Sequence, residues 1–279
     1  VETSVDGQYL TPVDLTVEIT VKDDGTREIS WTPTFRFIDT ATVTPDPETA
    51  AMADALRAKM DQTLDVEIGT LETPLDSRRN VVRAEESTMG NLITDALRDA
   101  TGADIALMNG GGIRGDTTYD AGRKLTRRDI LTELPFGNTT VVTELPGSQV
   151  LLALENGVSQ VEKGAGRFAQ VAGLKYSFDK SAAPESRVKS VEVMDNGNWV
   201  PIDPAKDYLV ASNNYVRQGG DGYKIFADNA KNAYDYGPGL EQVVADYLGA
   251  HNPYTPKLEG RVTEVAAGQP AAEPSAEPA

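Results

Sequence analysis

The sequence predicts an α/β layered fold with a mixed sheet, preceded by a connecting helix and a small antiparallel β segment. Apolar and polar residues alternate between residues 13 and 37, and apolar residues then recur at helical spacing between residues 47 and 60. From about residue 66 to 265, segments with strand character and segments with helix character follow one another. The chain has 279 residues, which is long enough for one large or two ordinary domains.

Residues 1–45 carry the antiparallel β segment. Leu15, Val17 and Ile19 alternate with polar residues, which is the period of a half-buried strand, and the turn at 23–25 has the composition of a hairpin. The returning strand continues the pattern through Trp31. So short a β meander makes a poor independent core, so we expect it to be the edge of a larger domain.

Residues 46–65 predict one helix that starts at Asp46-Pro47. Met52, Leu56 and Met60 follow one another at intervals of four residues, which places them in a narrow apolar stripe. A narrow stripe on a mostly polar helix is typical of a connector, so we expect a domain boundary here.

Residues 66–265 predict the mixed α and β domain. Ser87 is placed to cap a helix that Gly102 ends, and a short buried strand at 105–108 follows it. Further predicted strands and helices, each from its own apolar period, lie at 66–71, 139–145, 147–158, 173–178, 188–194, 209–212 and 240–248. The tail at 266–279 is mostly Ala, Pro and Glu, and we expect it to be disordered.

Composition excludes several classes of function. With 43 acidic against 26 basic residues the net charge is −17, so we expect neither nucleic acid nor an anionic membrane surface as a partner. No run of apolar residues is long enough for a membrane span in this segment. The absence of cysteine excludes disulfides and thiolate chemistry, and the single histidine, His251, excludes a histidine-rich metal site.

A glycine run between Asn109 and Arg114 is the first candidate site. Three consecutive glycines after a strand allow backbone N–H groups to approach a ligand and tolerate positive φ, and Arg114 can fork onto a phosphate or a carboxylate. The alternative is a tight structural turn. The spacing matches neither a nucleotide-binding P-loop nor a dinucleotide fingerprint.

Two further segments each have a functional and a structural interpretation, and their residues by themselves favour the structural one. Arg78, Arg79 and Arg83 precede a predicted helix N-terminus, where they either hold an anion or form surface ion pairs. Between residues 213 and 223, Tyr215 can stack on a planar ring and Asp221 can accept hydrogen bonds from a sugar diol. The alternative there is a glycine-rich turn. Phe136 is either a second stacking residue or part of the core.

Taken together, these segments resemble the C-terminal domain of the 5′-nucleotidase family, which includes bacterial UDP-sugar hydrolases and animal ecto-5′-nucleotidase. Four motifs occur in the family's order across about residues 66–263, and residues 166–174 between them are also similar. The motifs lie at 83–96, 103–114, 134–138 and 214–223.

The resemblance implies a domain that binds the substrate and contributes neither a catalytic residue nor a metal ligand. It implies phosphate-binding arginines at Arg83 and Arg114, and at Arg79 a further one that only some members carry. It also implies a loop lying against the substrate, with Asn109, Gly111 and Gly112.

The resemblance further implies how the nucleoside is held. Phe136 and Tyr215 match two aromatic residues that sandwich the base, and Asn138 matches a polar contact to it. Asp221 matches the acceptor for the ribose diol. The family typically has phenylalanine where this sequence has Tyr215. A tyrosine can still stack on the base, but its hydroxyl adds polarity to the pocket and leaves the base preference open.

In the family, two divalent metal ions, zinc, manganese or similar, belong to an N-terminal metallophosphatase domain with Asp-x-His, Gly-Asn-His-Glu and Gly-His-x-His motifs. None of these motifs occurs here. The resemblance therefore implies that residues 1–45 are a β remnant of that domain, 46–65 the connecting helix and 66–265 the nucleotide-binding domain. Because Val1 leads directly into charged sequence, we expect a mature form or a fragment. The resemblance implies a C-terminal piece of a longer exported protein, which is secreted, periplasmic or at the cell surface.

Two functions stay open from the sequence. The chain is either the substrate-recognition part of a metal-dependent 5′-nucleotidase-type phosphohydrolase, inactive without its metal domain, or a non-catalytic nucleotide- or nucleoside-binding module. The substrate, a mononucleotide, a nucleotide sugar or a cyclic nucleotide, is also open.

Overall fold

The computed structural model describes residues 7–266, and the chain divides into two compact units, Val1–Asp61 and Gln62–Ala279. The predicted disordered tail therefore lies, except for residue 266, outside the described residues. Along the described chain, no helix combines the length and the apolar character that crossing a membrane requires.

The described part of the first unit contains four strands, β1 (Tyr9–Leu10), β2 (Val13–Val21), β3 (Arg27–Phe35) and β4 (Ile38–Asp39). The hairpin predicted from the alternating pattern is present, because β2 and β3 pair along their whole length in antiparallel register. Val17 lies opposite Trp31 and Ile19 opposite Ile29, so their side chains share one face. Trp31 is 64% exposed, and no residue of either strand is buried.

The helix predicted after Asp46 is α1 (Pro47–Leu64), which continues across the boundary between the units. The Asp46 carboxylate accepts a hydrogen bond from the backbone N–H of Thr49 at 2.9 Å and so caps its start. The stripe of Met52, Leu56 and Met60 is exposed. The role of α1 as a connector stays a prediction.

The second unit, as far as residue 266, has seven more α-helices and thirteen more strands, listed in chain order. They are β5 (Glu67–Thr70), β6 (Leu75–Asp76), α2 (Arg79–Val82), α3 (Thr88–Thr101), β7 (Ile105–Asn109), β8 (Thr118–Tyr119), β9 (Lys124–Thr126), α4 (Arg127–Glu133), β10 (Thr140–Pro146), α5 (Gly147–Val158), β11 (Ala169–Ala172), β12 (Leu174–Phe178), β13 (Val188–Asp195), β14 (Asn198–Pro201), β15 (Asp207–Asn213), α6 (Asn214–Arg217), α7 (Lys224–Asn229), β16 (Lys231–Tyr234), α8 (Leu240–Ala250) and β17 (Val262–Glu264).

A five-stranded mixed sheet in the order β11-β7-β15-β10-β16 forms the centre of this unit, which confirms the predicted fold class. The pair β7 and β15 is parallel, and the other pairs in this sheet are antiparallel. A second sheet has the order β14-β13-β12-β17.

Strand β7 is buried on both faces and separates two apolar clusters. Ile105 and Leu107 pack into the cluster that includes α5 and the second sheet. Ala106 and Met108, which alternate with them, pack into the cluster that includes α3 and α8. The unit is therefore layered, with helices and a second sheet covering the central strands.

Helix caps follow the sequence closely. The Ser87 hydroxyl accepts a hydrogen bond from the N–H of Gly90 at 2.8 Å, and Gly102 ends α3 in the left-handed conformation with φ 64°. Helix α4 was not predicted from the sequence. Its start has a capping box formed by Thr126 and Asp129, a pattern that can be recognised in the sequence.

Gln170 of β11 attaches the segment between α2 and α3 to the sheet. Its side chain is fully buried, donates hydrogen bonds to the carbonyls of Val82 and Glu85, and accepts one from the N–H of Ser87. The side-chain amide of Gln170 thus fixes the backbone on both sides of Arg83.

We predict that Gln170→Ala lowers the free energy of unfolding by about 3 kcal/mol, because it leaves three buried backbone groups without partners. Urea denaturation measures this change. Gln242→Ala is the control, since Gln242 is a partly exposed residue whose side chain bonds only to other side chains. A loss in Gln170→Ala no larger than in the control would contradict this account.

Candidate functional site

One edge of the central sheet brings the predicted residues together. Since β7 and β15 are parallel, Asn109 at the end of β7 and Tyr215 just after β15 reach the same edge. The antiparallel neighbours β10 and β11 begin there, since Thr140 pairs with Asn213 and Ala169 pairs with Asn109. Four chain segments meet at this edge.

A cavity of about 540 Å³ opens between these segments. Nine of the ten residues proposed from the sequence line it, and the tenth, Arg79, does not. The lining residues are Arg83, Asn109, Gly111, Gly112, Arg114, Phe136, Asn138, Gly166, Tyr215 and Asp221. Gly166 was not singled out from the sequence, although it lies in a segment that carries the resemblance.

Arg83 is the buried cation of the cavity. Arg83 is only 8% exposed. Its guanidinium nitrogen Nη1 donates a hydrogen bond to the carbonyl of Gly164 at 3.3 Å, and its Nε has no hydrogen-bond partner. Burial, followed by the positive charges of Arg79 and Arg114, lowers the pKa of Arg83. Arg79 and Arg114 are therefore each close enough to repel the charge of Arg83, which favours binding of an anion beside Arg83.

The arginines upstream of α3 divide between the two predicted roles. Arg78 forms an ion pair with Asp76 at 2.6 Å, so the interpretation as a surface ion pair is the one that applies to Arg78. Arg79 is exposed at the start of α2, and its backbone N–H donates to Asp116 at 2.8 Å. It lies outside the cavity lining but contributes to the field at Arg83.

The glycine run packs tightly against its neighbours. Gly110 and Gly111 donate backbone hydrogen bonds to the carbonyls of Phe168 and Gly166, at 2.8 and 2.7 Å. A Cβ on Gly110 would lie 2.1 Å from the carbonyl oxygen of Val82, so no side chain fits there. None of the three glycines has a positive φ. Close approach of a neighbouring backbone requires glycine at Gly110 and Gly111, whereas a Cβ on Gly112 would meet the Met108 side chain.

Asp221 is held in a fixed orientation by its neighbours. Its backbone has φ 52°, an unfavourable value for a residue other than glycine, in the turn between Gly219 and Gly222. Its carboxylate accepts hydrogen bonds from Asn109 Nδ2 at 2.7 Å and from the Tyr215 hydroxyl at 3.2 Å. Asn109 is itself fixed by Asn213, a buried residue that sequence reasoning missed.

Two aromatic side chains are exposed at the cavity. Phe136 is 58% exposed and Tyr215 is 45% exposed, so Phe136 is not the core residue that one interpretation of the sequence suggested. The Arg114 guanidinium lies 5.5 Å from the centre of the Phe136 ring. Both rings are available for contact with a planar ligand.

The hydroxyl of Tyr215 has a specific structural role. It accepts a hydrogen bond from the N–H of Asp221 at 3.2 Å while donating to the carboxylate of the same residue. Burial and the Asp221 charge raise the pKa of Tyr215, which keeps the hydroxyl protonated as a donor. A Cβ on Gly220 would lie 2.5 Å from the tyrosine ring, so the ring rests on this glycine.

The donors present do not fit a two-metal centre. Among residues 7–266, no group of three or more His, Cys, Asp or Glu side chains is arranged to hold a metal ion. The whole sequence has one histidine and no cysteine. What this cavity offers is recognition by cations, a carboxylate and aromatic rings.

Comparison with known proteins gives consistent matches. Residues 67–228 match the family model described as the 5′-nucleotidase, C-terminal domain. The trifunctional nucleotide phosphoesterase protein YfkN of Bacillus subtilis (strain 168) is 38% identical over 226 residues, which cover 79% of this chain and 15% of that protein. Protein UshA of Escherichia coli (strain K12) is 29% identical over 255 residues, covering 90% of this chain and 42% of that protein.

Among solved structures, the crystal structure of a 5′-nucleotidase precursor from Thermus thermophilus superposes with a TM-score of 0.72 and 35% identity. The match covers 95% of this chain and 51% of that one. The chain thus spans about half or less of the length of these three relatives.

Proposed function

The chain belongs to the 5′-nucleotidase family through its C-terminal domain, and from this premise we propose that residues 66–265 bind a nucleoside 5′-phosphate for a metal-dependent phosphohydrolase. The reaction of the complete enzyme would convert the nucleoside 5′-phosphate to a nucleoside and phosphate. In this proposal the chain supplies substrate recognition, and its own residues carry out no bond cleavage.

The observation that carries the proposal is the presence of three kinds of contact in one cavity. Arg83 and Arg114 supply positive charge in a protein whose net charge is −17. Asp221 supplies a carboxylate, which accepts hydrogen bonds, and Phe136 and Tyr215 supply aromatic faces. A nucleotide has the matching anion, diol and planar base.

The carboxylate also limits which ligands fit. Burial and the two neighbouring arginines lower the pKa of Arg83, and the nearby charge of Asp221 acts in the opposite direction, so the cationic and anionic parts of the site are neighbours. A phosphate placed at Asp221 would be repelled, whereas a diol there donates two hydrogen bonds to the carboxylate. The ligand therefore has to present its anion and its hydroxyls at different places, as a nucleoside 5′-phosphate does.

The roles proposed for the single residues follow from this arrangement. Arg83 and Arg114, with Arg79 at longer range, would bind the phosphate. Asp221 would bind the ribose diol, and Phe136 and Tyr215 would stack on the base, which Asn138 would contact. Asn109 would orient Asp221, while Gly111 and Gly112 would let the loop lie close to the substrate.

We further propose that cleavage requires an N-terminal metallophosphatase domain of the same polypeptide, holding two divalent ions such as zinc or manganese. The names of the relatives, a nucleotide phosphoesterase and a 5′-nucleotidase, support a phosphoester substrate. The exposed apolar face of β2 and β3 supports a domain that would cover it. By analogy with the family, the complete protein would work outside the cytoplasm.

The decisive test is a calorimetric titration of the chain with adenosine and with AMP, without metal. We predict saturable binding of both, and a loss of about tenfold in affinity for each in Asp221→Ala, because two hydrogen bonds to a charged group are lost. Asp228→Ala is the matched control, since Asp228 is an exposed aspartate on the adjacent helix α7. Failure of the unaltered chain to bind either ligand would reject the proposal.

Tyr215 separates stacking from the orientation of Asp221. We predict that Tyr215→Ala weakens the binding of 2′-deoxyadenosine by about tenfold, since stacking on a base contributes roughly 1–3 kcal/mol. It should weaken the binding of adenosine more, because the hydroxyl that orients Asp221 is lost as well. Tyr215→Phe keeps the ring and should weaken the binding of adenosine by about threefold, and that of 2′-deoxyadenosine by less, because 2′-deoxyadenosine has one hydroxyl fewer to bond Asp221. Equal effects of Tyr215→Phe on both nucleosides, in the same titration, would show that the hydroxyl does not act through Asp221.

A further prediction follows from the proposal that this chain recognises the substrate while another domain cleaves it. With added Mn²⁺ or Zn²⁺, this chain should release no phosphate from AMP, because its donors do not fit a two-metal centre. A colorimetric phosphate assay measures the release, with Tyr215→Ala as the background. Release clearly above that background would place the catalytic residues in this chain and contradict the proposal.

A further inference from the structure

A buried carboxylate contacts the segments that adjoin the arginines of the cavity. Glu133, the last residue of α4, is 0% exposed and does not line the cavity. Its carboxylate accepts hydrogen bonds from the Ser77 hydroxyl at 2.7 Å, the Tyr119 hydroxyl at 2.8 Å and the Gly115 N–H at 3.1 Å. No feature of the sequence marked this residue as part of the site.

These three partners come from the segments that carry the arginines. Gly115 follows Arg114, whose own N–H donates to the backbone carbonyl of Glu133 at 2.9 Å. Ser77 lies just before α2, the helix that begins at Arg79 and leads to Arg83. One side chain therefore contacts both segments from which the cationic groups extend.

Little room for movement exists around this carboxylate. A Cβ built on Gly115 would lie 1.9 Å from Glu133 Oε1, so the loop backbone rests directly on the carboxylate. The next residue, Asp116, has φ 50° and caps α2 by accepting the N–H of Arg79 at 2.8 Å. The loop is thus held between Glu133 on one side and α2 on the other.

Burial of a carboxyl group at this place has a cost that calls for an explanation. Burial raises the pKa of Glu133, and the hydrogen bonds from Ser77, Tyr119 and Gly115 act in the opposite direction. A buried acid is unfavourable unless its hydrogen bonds are satisfied, and an apolar residue could fill the same volume. What an apolar residue could not do is hold three donors from separate segments at fixed positions.

We propose that Glu133 is a positioning residue that fixes Arg114 relative to Arg83 and Arg79, so that the cations meet a phosphate group together. This inference rests on the proposed nucleotide-binding function, and it concerns the phosphate end of the ligand only. The contacts to the base and the ribose come from other segments, apart from Phe136 and Asn138, which follow Glu133 after a Leu-Pro pair.

The test compares a ligand that has the phosphate with one that lacks it. The full chain is titrated calorimetrically with AMP and with adenosine. In Glu133→Ala the affinity for AMP should fall by about tenfold, and that for adenosine should change by less than about twofold, because charge-assisted contacts to the phosphate are misplaced. A residue needed only for folding would weaken both ligands equally or neither.

Two variants make the comparison specific. Glu133→Gln should keep the wild-type ratio of the two affinities, since its amide oxygen can accept from Gly115 while the hydroxyls of Ser77 and Tyr119 reorient to accept from its NH₂ group. Glu155→Ala is the matched control, because Glu155 accepts two backbone N–H bonds, from Arg187 and Val188, away from the cavity. A Glu133→Gln protein that loses as much AMP affinity as Glu133→Ala would overturn positioning by hydrogen bonds.

If Glu133→Ala does not fold, Ser77→Ala takes its place in the test, because it removes only one of the hydroxyls that bond Glu133. It should weaken the binding of AMP by about threefold. Amide hydrogen exchange of the ligand-free proteins gives a result that does not depend on nucleotide binding. Residues 77–83 and 113–119 should exchange faster in Glu133→Ala or Ser77→Ala than in Glu155→Ala. Unchanged exchange there would overturn this inference, whereas absence of AMP binding in the unaltered chain would reject only the proposed function.

Discussion

The parallel pairing of β7 with β15 at the centre of the sheet is the constraint on which the site depends. Because the two strands run in the same direction, the loops after them leave the sheet side by side. Their antiparallel neighbours, β10 and β11, begin at that same edge. The apolar clusters on both faces of β7 make this pairing rigid, so residues as distant as Asn109 and Asp221 meet within hydrogen-bonding distance.

At that edge, the protein places opposite charges close together and orients each with buried polar groups. Asn213 orients Asn109, which orients Asp221, while Gln170 and Glu133 hold the segments around the arginines. Each of these contacts is made by a polar side chain with little freedom, and such networks are stable only when their hydrogen bonds are satisfied. The cavity is therefore preorganised before any ligand arrives, which reduces the entropy lost on binding.

The two units differ in how completely they bury their apolar surface. Residues after 61 form two apolar clusters around the central sheet. The hairpin of β2 and β3, in contrast, leaves Val17, Ile19 and Trp31 exposed on one face. A hairpin of this kind has little stability without a covering layer. This difference, together with the greater length of the relatives, supports the further domain that we propose.

Local signals in the sequence determined the hairpin, α1, the caps of α3 and the motifs that identify the family, because each depends on residues close together in the chain. Through the family resemblance, the sequence also indicated nine of the residues that line the cavity. Short elements such as β6, β8 and β11 were not predicted, since two to four residues show no period. Only the tertiary structure decided the contacts of Glu133 with Ser77 and of Gln170 with Ser87, which join residues 56 and 83 positions apart. It also decided that Gly110 and Gly111 serve close packing of backbones, because the Val82 carbonyl and the Gly166 backbone occupy the space that a side chain would need.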